Sequence, residues 1–312
     1  MEIFKSSHTS SKRRSRSGNR WLLIGIGGGG DIYGCLPLKW NLEQMGFEVH
    51  LGSLTWERDV VDPKSFPRRV NELEHVELVT KFGAIGDTST CLENFCFQGA
   101  LLSAHLGGEK IFFVDINGGP VGVRDAINAY CSKFNITGVV GLDVGGDSIA
   151  TGKEPGLESP LADATMLSGI AQIDSQYRAI LGIFGMNADG ELTQQELLQR
   201  FSALTPAGYL GAIGHGPGAL SNLKEILSDE KYVTEASRQP LRALAGEMGQ
   251  TRIRNGHRHV ELNLLLTITF LFEARKIFPL CPIAYEIRDA GSIVEVDRCI
   301  RNHFHINTEY NP

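Results

Sequence analysis

Short continuous apolar runs flanked by glycine recur along this chain, and most are followed by a stretch with helical spacing. Residues 21–25 form the first run and read as a strand buried on both faces of a parallel sheet. A helix follows over 32–45, with Pro37 tolerable only near its start. The stretch 47–51 alternates as a second strand, and 72–79 alternates in part as a weaker third. Helix 94–105, strand 110–114, helix 121–133, strand 138–142, helix 161–172, strand 179–184 and helix 193–203 continue the pattern. Such alternation implies βαβ units with right-handed crossovers. It predicts a doubly wound, mostly parallel, Rossmann-like α/β sheet. Later segments are less regular: 220–226 and 240–247 read as helices, 264–272 as either a strand or a buried helix, and 294–301 as a last helix. The expected organisation is a basic, disordered tail over 1–20 and one α/β domain over 21–312, with a C-terminal elaboration from about residue 230.

The loops after the strands carry the polar chemistry. They are Gly25-Ile26-Gly27-Gly28-Gly29-Gly30-Asp31, Asp115-Ile116-Asn117-Gly118-Gly119, Asp143-Val144-Gly145-Gly146-Asp147-Ser148 and Asn187-Ala188-Asp189-Gly190-Glu191. A fifth, Gly214-His215-Gly216-Pro217-Gly218, follows the apolar run 209–213. Ligands of open α/β sheets bind outside the carboxyl ends of the strands, so five such loops on one edge point to a single polar site. Any one of them alone is an ordinary turn or helix cap.

The first loop satisfies G-x-G-x-x-G between a strand and a helix, a context for a phosphate cradle made by Gly25, Gly27, Gly28, Gly29 and Gly30. Asp115 and Asn117 join it as binding candidates. A dinucleotide site also wants an acid at the end of the second strand. That strand ends Leu51-Gly52-Ser53 without one, and Arg58 would meet a 2′-phosphate instead. A bare Asp31 beside a pyrophosphate would repel it, so either a cation lies between them or Asp31 caps its helix.

Asp143 and Asp147 flank a Gly-Gly turn, and Asp163 falls in the first turn of a helix opened by Ser159-Pro160. Three carboxylates of this kind suit Mg²⁺ or Mn²⁺ together with substrate phosphate. The plainer reading is that Asp163 complements the helix dipole and Asp147 closes a turn. Glu154 and Glu158 are an acid/base reserve or solvated. His215, with an ordinary pKa of ~6.5, is the leading proton carrier, with Asp147 and Glu158 beside it. The cluster Arg252, Arg254, His257, Arg258 and His259 would hold phosphate, Arg254 and Arg258 foremost, or would simply pair with Glu247 and Glu261.

Composition narrows the class. The 36 glycines exceed the usual share of about 7% and cluster in those loops. A net charge of −6 argues against a nucleic-acid footprint. The exception is the serine-rich start with Lys12, Arg13, Arg14, Arg16 and Arg20, which reads as a solvated leader or a nucleic-acid or targeting segment. Six cysteines without a C-x-x-C pair read as buried free thiols in a reducing compartment. No apolar run reaches the ~18 residues of a membrane span, so a cytoplasmic protein is expected. Self-association stays open.

The combination Gly27-Gly28-Gly29-Gly30-Asp31, Asp143-Val144-Gly145-Gly146-Asp147-Ser148 and Glu158-Ser159-Pro160-Leu161-Ala162-Asp163 resembles the DUF1152 family of bacteria and archaea. The resemblance implies a single module from residue 21 to the 290s, and supplies no reaction. The residues themselves point first to a metal-assisted enzyme acting on a phosphorylated sugar or nucleotide, by hydrolysis or group transfer. An NAD(P)-dependent oxidoreductase and a non-catalytic nucleotide sensor or scaffold are the alternatives.

Overall fold

The structure is a computed structural model that describes residues 2–4, 19–64, 66–92 and 95–310. Its strands are β1 (Arg20–Gly25), β2 (Glu48–Leu54), β3 (Glu77–Thr80), β4 (Gly83–Gly86), β5 (Cys91–Leu92), β6 (Phe95–Cys96), β7 (Ile111–Val114), β8 (Gly138–Val144), β9 (Arg178–Phe184), β10 (Tyr209–Gly214), β11 (Gly249–Ile253), β12 (Arg258–Leu262) and β13 (Ile268–Glu273). Its helices are α1 (Cys35–Gln44), α2 (Gln98–His105), α3 (Gly119–Phe134), α4 (Pro160–Ala171), α5 (Gln194–Gly208), α6 (Pro217–Ile226), α7 (Gln239–Leu244), α8 (Ala274–Ile277), α9 (Pro282–Glu286) and α10 (Ile293–Phe304).

Nine strands form one mixed, mostly parallel sheet in the order β10-β13-β9-β8-β1-β2-β7-β4-β3. The five central strands β9, β8, β1, β2 and β7 are parallel, and β13 and β4 run antiparallel on either side of them. The apolar run of β1 shows no polar alternation because both faces are covered. Leu22 and Ile24 pack into one core with Val123 of α3 and Leu161 of α4, while Trp21 and Leu23 pack into another with Leu36 and Leu42 of α1. The chain steps from β1 through β2 to β7, then crosses back through α3 to β8 and on to β9. Its direction across the sheet therefore reverses between β1 and β8.

Helix α4 is buried all round because it is sandwiched between the sheet, α3 and α9. Gly169 permits the approach of α3: a Cβ there would lie 2.4 Å from Val123 Cγ1 and 3.1 Å from the Pro120 carbonyl. Gly169→Ala is accordingly expected to lower the unfolding free energy by about 1–3 kcal/mol in urea titration, despite alanine's better helix propensity.

Several expectations are corrected. The segment 72–79 is mostly not a strand, and β3 lies at the sheet edge. The stretch 264–272 resolves as a turn followed by β13, and the β11–β12 hairpin has no clear signal in the sequence. Cys91 and Cys96 are joined by a disulfide rather than free, because the short β5–β6 pair sets them opposite each other. Cys35, Cys131 and Cys281 are buried free thiols, and Cys299 is half-buried. Arg20 belongs to β1, paired with Glu48 at 2.8 Å, and Phe4 packs edge-on against Trp21 with ring centroids 4.9 Å apart. Parts of the expected solvated tail thus belong to the core, while Lys12 to Arg16 lie outside the described residues. No helix among the described residues is long and apolar enough to cross a membrane.

Candidate functional site

Where the chain direction reverses, at the carboxyl ends of the strands, the loop after β1 packs against the loop after β8, with Asp31 Oδ2 reaching the Val144 amide. A cavity of about 450 Å³ opens beside the first of these loops, with Gly27, Gly28, Gly30 and Asp31 on one wall. The loop after β2, the approach to α4, residues 233–236 and the turn of the β11–β12 hairpin complete it.

Asp31 joins the cavity to a cluster of carboxylates, of which Asp143, Asp147, Asp163, Asp189 and Glu191 lie off the lining. Asp31 does not cap its helix: its side chain folds back so that Oδ2 accepts from the amides of Gly27 (3.0 Å) and Val144 (3.3 Å). Asp143 accepts from the amides of Gly146 (2.9 Å) and Ser148 (3.0 Å). That turn needs φ of 138° and 121° at Gly145 and Gly146, a region open to glycine. Asp163, in the first turn of α4, is buried and its Oδ1 has no hydrogen-bond partner. One carboxylate oxygen from each of Asp31, Asp143 and Asp163 lies within 4.8 Å of the others. Gly27 is required by this packing, since a Cβ there would stand 2.7 Å from Asp31 Oδ2 and 3.0 Å from both Asp163 oxygens.

A second triad, Asp147, Asp189 and Glu191, meets the same 4.8 Å limit. Glu191 is well held, accepting from the amides of Glu158 (2.9 Å) and Ser159 (3.0 Å) and facing Arg258 Nη1 at 2.8 Å. Asp147 accepts no hydrogen bond through its carboxylate among the described residues. Burial, and secondarily the charge of Asp143, push the Asp31 carboxyl up to about 8. Asp143, Asp147, Asp163 and Asp189 are all raised for the same leading reason, burial, with neighbouring carboxylates adding to it.

The rest of the lining brings Arg58, Arg254, His257 and Arg258 together with Asp59, Glu158 and Glu235. Arg58 Nη1 and Arg254 Nε approach Glu235 Oε2 at 3.5 and 3.3 Å, and Arg258 Nη2 meets Glu158 Oε2 at 2.8 Å. The basic cluster therefore pairs with Glu235, Glu158 and Glu191 rather than with Glu247 and Glu261; Glu247 is bound by Arg242. Within the glycine loop, the amides of Gly27, Gly29 and Asp31 are taken by Asp31 Oδ2, the Trp56 carbonyl and the Gly28 carbonyl. The amides of Gly28 and Gly30, both on the cavity wall, have no such partner among the described residues. Gly25 lies behind them, where a Cβ would come within 2.5 Å of the Asp31 and Ile32 backbone.

Three expected residues fall elsewhere. His215 is buried, with Nδ1 2.9 Å from Asn41 Nδ2 and Nε2 2.7 Å from Thr269 Oγ1, edge-on to Phe184. Burial pushes it down to about 4, so the ring is neutral. Strand β10 lies three strand spacings from β8, about 14 Å, which takes its loop out of the crevice. His215→Ala is expected to cost about 2–4 kcal/mol of stability through lost packing and unpaired partners, while ligand affinity of the folded fraction stays at the wild-type value in calorimetry. Asp115 and Asn117 likewise lie off the cavity lining, engaged in hydrogen bonds to the backbone. Asp115 accepts from the amides of Asn117 (2.8 Å) and Val70 (3.2 Å), and Asn117 Nδ2 donates to the Pro67 carbonyl (2.9 Å).

Other residues join the site without having been singled out. Glu309 comes from the C-terminal segment to accept from the amides of Leu161 and Ala162, each at 3.1 Å, and burial pushes it up to about 8. Trp56 and Glu57 line the cavity because β2 runs to Leu54, three residues past the alternating pattern. Burial pushes Glu57 up to about 8 as well, and its Oε1 accepts from the Gln98 amide at 2.7 Å.

Residues 22–312 match the family described as Protein of unknown function (DUF1152). No curated protein and no solved structure matches the chain.

Proposed function

The chain belongs to the DUF1152 family, which carries no assigned reaction, and from the site itself we propose a metal-assisted enzyme acting on a phosphorylated sugar or nucleotide by hydrolysis or group transfer. One observation carries the reading: Asp31 lines the same cavity as Arg58, Arg254 and Arg258, and its carboxylate lies within 4.8 Å of the buried Asp143 and of Asp163, whose Oδ1 is unpartnered. Carboxylate oxygens suit Mg²⁺ or Mn²⁺, and planar guanidinium forks suit phosphate. A cavity of about 450 Å³ is the size that small-molecule sites use.

In this reading Asp31, Asp143 and Asp163 hold a divalent cation, which polarises a phosphoryl oxygen or activates water when bound. Arg58 and Arg254 exchange Glu235 for substrate phosphate, and the Gly28 and Gly30 amides add donors beside them. Arg258 holds Glu158 at the cavity wall. Glu309 replaces His215 as the proton carrier, because a carboxyl raised to about 8 gives and takes a proton near neutrality. The five parallel strands, taken in chain order, stand third-second-first-fourth-fifth across the sheet. That order supports a doubly wound, Rossmann-like assignment with the ligand in the crevice at the reversal.

A second reading is favoured by Glu57, an acid on the loop after β2 and on the cavity wall, where dinucleotide sites hold a ribose. A thermal-shift panel of sugar phosphates, nucleotides and NAD(P), each with and without Mg²⁺ or Mn²⁺, separates the two. Stabilisation of about 2.7 kcal/mol at a hundredfold excess over Kd, requiring both metal and phosphate, is expected. A shift with NAD(P) alone would move the assignment to an oxidoreductase. Tight binding without turnover of any candidate would leave a nucleotide sensor.

A further inference from the structure

We infer that the acidic cluster beside the cavity binds two divalent cations side by side, with Asp31, Asp143 and Asp163 on the first and Asp147, Asp189 and Glu191 on the second. The inference deepens the metal-assisted reading of the same site and rests on it.

Charge makes the case for two ions. Five of the six carboxylates are buried and Asp31 is half-buried, and the guanidinium paired with the cluster is that of Arg258, shared between Glu191 and the exposed Glu158. Buried charges left without compensation are strongly unfavourable. Once the six are ionised as ligands, Arg258 and one dication would leave three charges uncompensated, and two dications would leave one. Hydrogen bonds do not relieve the excess evenly. Asp31 and Asp143 are each anchored by two backbone amides, which fixes their direction and leaves lone pairs free to ligate.

The unrelieved groups fall one to each triad. In the first, Asp163 is 3% exposed and its Oδ1 has no partner. In the second, Asp147 is 7% exposed and its carboxylate accepts no hydrogen bond among the described residues. The donor spacing also fits one ion per triad. Trans donors on an octahedral Mg²⁺ lie about 4.2 Å apart and cis donors about 3 Å, so a set spanning at most 4.8 Å closes with small shifts. Asp143 and Asp147 stand at the two ends of one glycine turn, which sets the triads next to each other.

A pair of cations narrows the chemistry. Paired divalent ions stabilise both the attacking and the leaving oxygen of an in-line displacement at phosphorus. The bond broken is then a P–O bond of the substrate, and the bond formed joins phosphorus to the oxygen of water or an acceptor hydroxyl. The proton lost by that oxygen passes to Glu309, and the leaving oxygen departs with its electron pair.

Mn²⁺ itself is the probe. The full chain, stripped with chelator, is titrated with Mn²⁺ by equilibrium dialysis and followed by electron paramagnetic resonance. Two ions per chain with a spin-coupled spectrum at saturation are expected. Asp189→Asn should retain one ion, with the six-line spectrum of isolated Mn²⁺; Asp147→Asn serves the same purpose if the first variant does not fold. One ion per wild-type chain would overturn the pair and leave the metal-assisted reading standing, whereas none would overturn both. Two ions retained in folded Asp189→Asn would overturn the assignment of the second triad.

Discussion

Asp163→Asn should make the cation-free protein more stable while removing the response to cation. The side chain keeps its size, so packing in the first turn of α4 is preserved. What disappears is a carboxyl whose ionisation is opposed by burial and by the neighbouring Asp143 and Asp31, and whose Oδ1 has no partner. In chelator at pH 8, the variant is expected to gain on the order of 1–3 kcal/mol of unfolding free energy over wild type. Its Mn²⁺ affinity should fall at least ~100-fold, because even groups outside a metal's ligand set are worth ~10–100-fold. Chemical unfolding with and without Mn²⁺ reads both quantities. A variant that is less stable than wild type in chelator, and still stabilised by Mn²⁺, would remove Asp163 from the centre.

The pH dependence of stability should run opposite to that of a protein held by ion-paired carboxylates. Burial raises Asp31 from 3.8, and Glu57 and Glu309 from 4.5, to about 8 in the folded chain. Between those limits the folded chain holds protons that the unfolded chain has released. Unfolding free energy therefore falls as pH rises, by about 1.4 kcal/mol for each extra proton and each pH unit crossed. Without divalent cation, the melting temperature should drop from pH 5 to pH 8. Mn²⁺ should restore it, more strongly at the higher pH, and its binding should release protons into weakly buffered solution. A melting temperature that climbs over this range in chelator would contradict the raised carboxyls.

Strong local patterns made much of the framework legible. Continuous apolar runs located β1, β8 and β9, and the glycine-rich loops behind β1 and β8 do meet, together with Asp163. Direction and neighbourhood were less visible. His215 follows a strand that points the same way as β9, yet β13 separates the two, and β13 arrives some fifty residues later in the chain. A loop's chemistry says nothing of how many strand spacings lie between it and the crevice. Asp31 poses a local ambiguity, helix cap or neighbour of a cation; the amide of Val144, more than a hundred residues away, draws its side chain off the cap position. Asp189 and Glu191 lay in a loop already singled out, but only packing against the Gly145 turn makes them companions of Asp147. Glu309 has no periodic or motif signal: a lone acid near the C-terminus becomes part of the site only because its segment docks on the start of α4.

The acidic centre draws its groups from residues 31 to 191, on the loops of β1, β8 and β9 and the first turn of α4. In kinetic terms, its carboxylates converge only after those three strands have paired, so the centre is absent from early, partly ordered states. Contacts this distant in sequence form late and slow the approach to the native state. Under the proposed metal-assisted reading, a cation would recognise only the finished arrangement. It would then act as a latch on the unfolding side, prolonging the lifetime of the folded chain and leaving the rate of folding almost untouched.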